Sequence, residues 1–194
     1  MWVKICGITR YEDARAACAY GADAVGFVLT LSRRRADPYL LGSWIHEIQG
    51  VEKVGVFTDE DPVYIAEISK RLGLDAVQLH APLALAHRLL LEDFRVIVAL
   101  KDAEPGTEPG IPENFPCRVL LDPSMGNGRA GDWRRLGIPF ILAGGLTPEN
   151  VGKAIAQAGP FGVDVSSGVD AAPGIKDREK IRKFICEAKQ EAKK

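Results

Sequence analysis

The chain has 194 residues, 46% of them apolar and 26% charged, with a net charge of −1 and a pI near 6.3. That length holds one substantial core, and the charge balance argues against nucleic acid or an anionic membrane surface as the main partner. No apolar run reaches the roughly 20 residues of a membrane helix and the first residues lack a signal-peptide pattern, so the expected compartment is the cytoplasm.

From the N-terminus, Val3 and Ile5 read as a short buried strand that ends at Cys6 and Gly7. Thr9 and Glu12 have the spacing of a capping box, and Ala14, Ala17 and Cys18 recur at helical spacing until Gly21. Ala24 to Val28 is a continuous apolar run, as in a strand covered on both faces. After the basic loop Ser32 to Arg35, Asp37-Pro38 opens a helix with Leu41, Trp44, Ile45 and Ile48 on one face, closed by Gly50. Lys53 to Phe57 is the third strand, followed by a helix from Asp61-Pro62 through Leu72 and a stop at Gly73.

Ala76 to His80 is the fourth strand, with Gln78 and His80 near its end, followed by a helix from about Pro82 to Leu91 and a strand from Arg95 to Leu100. Prolines and glycines between Lys101 and Pro116 exclude a long helix there, so a Pro/Gly-rich loop replaces the fifth helix. Arg118 to Asp122 is the sixth strand, followed by the loop Gly126 to Arg129 and a short helix near Asp132 to Leu136. The seventh strand, Phe140 to Leu142, runs to Gly144-Gly145, and Thr147-Pro148 caps a helix carrying Val151, Ala154, Ile155 and Ala158. Phe161 to Val165 is the eighth strand, ending in Ser166-Ser167-Gly168 before a last helix with Ile181, Phe184, Ile185 and Ala188.

Eight alternating units with no compositional boundary predict one α/β domain over residues 1–194, a (β/α)₈ TIM barrel. The alternative is an open doubly wound sheet, which normally brings a glycine-rich fingerprint after its first strand; Cys6-Gly7-Ile8-Thr9 is not one.

In such a barrel the C-terminal strand ends carry the chemistry. Here they are Cys6, the arginine loop, Gln78 with His80, Asp122, Gly144-Gly145, and Asp164 with Ser166-Ser167-Gly168. The last two groups follow strands seven and eight, where glycines let backbone N–H groups approach a phosphate. Cys6 reads either as a small buried hydrophobe or as a thiol that a nearby helix start would favour as thiolate. Asp122 reads as a cap or as part of an active-site loop. Of Arg33 to Arg35, one would fold over the pocket to hold a carboxylate. The four cysteines have no CxxC spacing and the histidines no metal-spaced partners, so neither disulfide nor metal is expected. A thiol and a carboxylate beside an anion site suggest paired proton transfer on a phosphorylated small molecule.

The same residues resemble the phosphoribosylanthranilate isomerase family of tryptophan biosynthesis. Lys4 to Thr9 is similar to its opening motif, and the likeness continues through Gly21 to Val28, Gly55-Val56-Phe57, Val77 to His80, Leu120-Leu121-Asp122, Gly144 to Val151, Val163 to Val169, Ala172-Pro173-Gly174 and Lys176. The resemblance implies an Amadori rearrangement of N-(5-phosphoribosyl)anthranilate to 1-(2-carboxyphenylamino)-1-deoxyribulose 5-phosphate. It makes Cys6 the general base and Asp122 the general acid. Arg34 would hold the anthranilate region, with Gln78, His80 and Asp164 lining the pocket. Gly144, Gly145, Ser166, Ser167 and Gly168 would grip the phosphate. No cofactor is implied, and monomer and homodimer both stay open. A sugar-phosphate isomerase of histidine biosynthesis and a non-catalytic phosphometabolite-binding barrel are the competing expectations.

Overall fold

The computed structural model describes residues 1–80, 94–100, 117–122, 133 and 135–191. Eight parallel strands close into a barrel in chain order: β1 (Trp2–Ile5), β2 (Ala24–Val28), β3 (Glu52–Phe57), β4 (Ala76–Leu79), β5 (Arg95–Leu100), β6 (Arg118–Leu121), β7 (Ile141–Leu142) and β8 (Gly162–Val165). Closure is made by β1 against β8, with Lys4 beside Asp164 and Ile5 beside Val165. The barrel excludes the open doubly wound sheet.

Around it, α1 (Tyr11–Ala19), α2 (Pro38–Gly42), α3 (Pro62–Leu72), α4 (Val151–Ala158) and α5 (Arg178–Glu191) follow their strands. The predicted helix from Pro82 to Leu91, the loop proposed for Lys101 to Pro116 and the glycine loop 126–129 lie outside the described residues. Of the short helix expected near Asp132 to Leu136, the described Trp133, Arg135 and Leu136 are not helical.

Strand alternation divides the interior into layers. At the N-terminal end Arg118 makes a two-pronged ion pair with Glu52 (Nη1 to Oε2 2.8 Å) and stacks over the Trp2 ring at 5.2 Å. Ala24, Val54, Ala76, Ile97, Leu120 and Ile141 fill the middle. The layer under the C-terminal mouth is polar: Lys4, Gln78 and Asp164, all buried. A larger apolar core lies between the sheet and the helices; Val3, Ile5, Val25 and Phe27 face it.

Three local expectations fail for identifiable reasons. The capping box does not form: α1 starts at Tyr11 with Arg10 at its N-cap, and the Thr9 hydroxyl donates instead to the Gly174 carbonyl. The helix expected to run from Pro38 to Gly50 breaks after Gly42 and resumes as a single 3₁₀ turn over Ile45–Glu47. Glycine is a poor helix interior residue, and the Ser43 hydroxyl donates to the Leu40 carbonyl at 2.7 Å, ending the segment. Asp37 still caps α2, accepting from the Tyr39 and Leu40 N–H groups. Thr147-Pro148 forms a turn ahead of α4 rather than its cap: Asn150 accepts from the Thr147 N–H at 2.7 Å and donates to the Gly145 carbonyl at 2.9 Å.

The structure also contains a hairpin that the sequence pattern does not suggest, β9 (Asp170–Ala172) against β10 (Ile175–Lys176). It sits between β8 and α5 and is tied to α1 by Asp13, whose Oδ2 accepts from the Lys176 N–H at 3.0 Å.

The loops after β7 and β8 press together at Gly168. A Cβ on Gly168 would lie 1.9 Å from the Leu146 carbonyl oxygen, which only backbone movement relieves. Gly168→Ala is therefore expected to destabilise the protein by about 2 kcal/mol or more, read as a lower urea midpoint. An unchanged midpoint would mean that the two loops are not in fixed contact.

Candidate active site

The residues singled out at the strand ends converge on one cavity of ≈ 380 Å³ at the C-terminal mouth of the barrel. Cys6, Arg34, Gln78, His80, Asp122, Asp164, Gly144, Gly145, Ser166 and Ser167 all line it. Gly168 does not; it packs against the Leu146 carbonyl behind the wall. His46 lies in the 3₁₀ turn Ile45–Glu47, away from the cavity.

Cys6 leaves the barrel with its N–H donating to the Val165 carbonyl at 2.8 Å. Gly7 then takes a left-handed φ of 72°, and a side chain there would meet Arg34 Cδ and Ser166 Oγ, each at 2.9 Å. Only glycine lets the strand exit pass beneath these two cavity residues. Gly144 and Gly145 are also left-handed, at φ 84° and 64°, and bend the backbone along the wall. On the far side of that turn, Asn150 clamps the Gly145 carbonyl.

Of the two readings of Cys6, its surroundings favour the neutral thiol. Burial pushes the thiol up, and Asp164 adds to this, outweighing Lys4 and Lys176, which pull it down. The helix start invoked for a lowered value is also too far along the chain, since α1 begins only at Tyr11.

A chain of hydrogen bonds runs across the floor. Lys4 Nζ donates to Asp164 Oδ2 at 3.0 Å and to Gln78 Oε1 at 2.8 Å. With its oxygen taken, Gln78 turns its Nε2 to His80 Nε2, 3.1 Å away, and donates. His80 therefore accepts at Nε2 and carries its proton on Nδ1. Burial lowers the His80 pKa, partly offset by Asp122, so the ring is neutral at neutral pH. Lys4 stays charged: burial works against the ammonium, but the Asp164 carboxylate favours it, with Cys6 adding to this whenever it ionises, and the pKa is raised.

A second network holds Arg34. Its Nε donates to Asp170 Oδ2 at 2.7 Å, while Asp170 Oδ1 accepts from Lys176 Nζ at 2.6 Å. Lys176 also donates to the Ser166 carbonyl at 3.0 Å. One carboxylate of the β9–β10 hairpin thus fixes a cavity arginine and the loop after β8 together.

Lys4, which begins the opening motif, has no site role in the sequence pattern, nor do Asp170 and the paired hydroxyls of Thr30 and Thr58 (2.7 Å apart). The available signal for Lys4 was parity: in an alternating strand it shares the inward side with Trp2. Asp170 offered none, because the hairpin that presents it is short and exposed. Among the described residues no three His, Cys, Asp or Glu side chains are grouped as a metal site, and no helix is long and apolar enough to cross a membrane.

Residues 3–187 match the family model described as N-(5'-phosphoribosyl)anthranilate (PRA) isomerase. A protein of Geobacter sp. (strain M21) named N-(5'-phosphoribosyl)anthranilate isomerase is 40% identical, covering 97% of this chain and 98% of its own. The crystal structure of phosphoribosyl anthranilate isomerase from Thermotoga maritima superposes with a TM-score of 0.86 at 38% identity, over 98% of this chain and 99% of that one. A crystal structure of a phosphoribosyl anthranilate isomerase in complex with reduced 1-(o-carboxyphenylamino)-1-deoxyribulose 5-phosphate gives a TM-score of 0.78 at 36% identity, over 98% of this chain and 99% of that one.

The Asp170 cluster sets a stability test. Removing Asp170 takes the carboxylate from both Lys176 and Arg34, at a cost of about 3 kcal/mol, whereas removing Lys176 leaves Asp170 paired with Arg34 and costs less. Asp170→Ala is expected to lower the urea midpoint by that order and Lys176→Met by less, with the double variant losing clearly less than the two losses combined. Additive losses would show that the two side chains are not coupled.

Proposed function

The chain belongs to the N-(5'-phosphoribosyl)anthranilate isomerase family, and we propose that the cavity at its barrel mouth carries the family's reaction with Cys6 as general base and Asp122 as general acid. The protein is an isomerase of tryptophan biosynthesis that performs the Amadori rearrangement of N-(5-phosphoribosyl)anthranilate. The observation that carries the residue assignment is the shared cavity. Cys6 at the end of β1 and Asp122 at the end of β6 open into the same space as the glycine and serine loops after β7 and β8.

The reaction needs one proton delivered and one removed. Asp122 protonates the furanose ring oxygen, and the C1–O bond breaks to give an open-chain Schiff base. Cys6 as thiolate then takes the proton from C2, and the resulting enolamine tautomerises to the ketone. Both protons move at neighbouring atoms of one substrate held in one orientation.

The anchors for that orientation lie at two sides of the cavity. Gly144, Gly145, Ser166 and Ser167 take the phosphate, with Gly168 keeping the two loops in contact from behind. Left-handed glycines and a tight loop-to-loop approach give backbone groups close access to an anion. Arg34 takes the anthranilate carboxylate. Its Nε is committed to Asp170, which leaves the two terminal nitrogens of the guanidinium for a bidentate contact. Gln78, neutral His80 and Asp164 complete the walls; among the described residues the buried Asp164 Oδ1 has no hydrogen-bond partner, which suits it to accept from a substrate hydroxyl.

With freshly prepared phosphoribosylanthranilate, Cys6→Ala and Asp122→Asn are each expected to lose about a hundredfold or more in kcat. Full activity in both variants would overturn the acid–base assignment. The raised Cys6 thiol sets the sign of the pH response. A base must be deprotonated, and burial holds this one above the ordinary thiol value of about 8.5. The thiolate is then the minor form at neutral pH and grows with alkalinity. Between about pH 6 and 8 the thiolate fraction, read as the rate of Cys6 alkylation by iodoacetamide, is expected to rise roughly tenfold per unit. An alkylation rate that does not change with pH there would show that burial does not hold the thiol protonated.

A further inference from the structure

Lys4 has no part in the chemistry above, yet it is fully buried at the barrel axis, where a lysine is almost never found without a reason. An ammonium has three N–H donors. Two of them go to Gln78 Oε1 and Asp164 Oδ2. Gly26 on β2 shows what lies beside the end of that side chain. A Cβ placed on Gly26 would sit 2.8 Å from Cys6 Sγ and 2.9 Å from Lys4 Cε. The thiol and the end of the lysine side chain therefore share the space over this glycine.

We infer that Lys4 is a positioning residue whose ammonium is the counter-ion of the Cys6 thiolate, which rests on Cys6 being the base of the isomerase reaction. The thiolate accepts the C2 proton, and Lys4 keeps its own protons throughout. A buried thiolate without a partner would be prohibitive in this layer.

Charge accounting around the thiol supports the assignment. Lys4 on β1, Lys176 on β10 and Arg34 after β2 face Asp164 on β8 and Asp170 on β9. Of these cations, Lys176 and Arg34 are both paired with Asp170, which leaves Lys4 as the cation placed between Asp164 and the thiol. His80 on the β4 side is neutral, and Asp122 after β6 lies beside it. Lys176 is the weaker candidate, since its Nζ is engaged with Asp170 Oδ1 and the Ser166 carbonyl. Of the influences that favour the thiolate, Lys4 is the largest, ahead of Lys176.

The test reads Cys6 directly. The rate of Cys6 alkylation by iodoacetamide is followed against pH by peptide mass spectrometry, which separates Cys6 from Cys18, Cys117 and Cys186. In Lys4→Met the alkylation midpoint is expected to rise by about one pH unit or more, and kcat near neutral pH to fall about tenfold or more with KM little changed. Lys4→Met leaves Asp164 unpaired and can fail to fold. The second comparison is therefore Lys4→Met/Asp164→Asn against Asp164→Asn alone, in which the buried pair is removed together. The midpoint is expected to be higher in the double variant. Equal midpoints in either comparison, in folded protein, overturn the counter-ion role. The base assignment fails separately, if Cys6→Ala keeps full turnover, because alkylation does not depend on catalysis.

Discussion

A lysine ammonium shut away from water under the mouth of the barrel constrains everything placed around it. Burying such a charge costs several kcal/mol unless it is paired and hydrogen-bonded. The upper layer of the interior is built to meet that cost. β8 supplies Asp164, β4 supplies Gln78, and β2 supplies a glycine where any side chain would collide with Lys4 and Cys6. The orientation of Gln78 is then no longer free, and through it His80 is fixed as a neutral acceptor. One buried charge thus sets the protonation and direction of a whole wall of the cavity.

The polar layer adds little net stability by itself, because desolvation offsets most of the Coulomb attraction. Stability comes from elsewhere. The middle of the barrel is plugged by apolar side chains and the N-terminal end by Glu52, Arg118 and Trp2. A much larger apolar core joins the sheet to the helices. This division lets the C-terminal end carry unfavourable features, including a buried thiol, an Asp164 oxygen with no hydrogen-bond partner among the described residues, and left-handed turns at Gly7, Gly144 and Gly145.

The β9–β10 hairpin joins the two ends of the fold. Asp13 of α1 binds the Lys176 N–H and Arg10, Thr9 binds the Gly174 carbonyl, and Asp170 binds both Arg34 and Lys176. The first helix, the last loop and the arginine loop are held in one arrangement around Cys6. Residues far apart in sequence, such as Arg34 and Asp170, become a single unit only because β1 pairs with β8.

Much was settled by the sequence alone. Alternating apolar runs and helical stripes specify eight strand–helix units, because a strand buried on both faces and a helix with one apolar stripe have different periods. Parallel order then puts every strand's C-terminal end on one rim, so Cys6, Gln78, His80, Asp122, Asp164 and the Gly-Gly and Ser-Ser turns were nameable without coordinates. Tertiary structure decided what local signals misjudged. Thr9 and Glu12 had the spacing of a capping box, but the Gly174 carbonyl, distant in sequence, competed for the hydroxyl and won. The α2 stripe continued past Gly42 where the helix did not, since Leu41, Ile45 and Ile48 are buried by packing whatever the backbone does between them. The state of Cys6 was equally hidden, because a pKa depends on desolvation and on charges from β8 and β10 that no local window contains. Closing the barrel brings Lys4, Gly26, Gln78 and Asp164 onto one axis, and that closure decided what kind of environment the thiol at the end of the first strand would have.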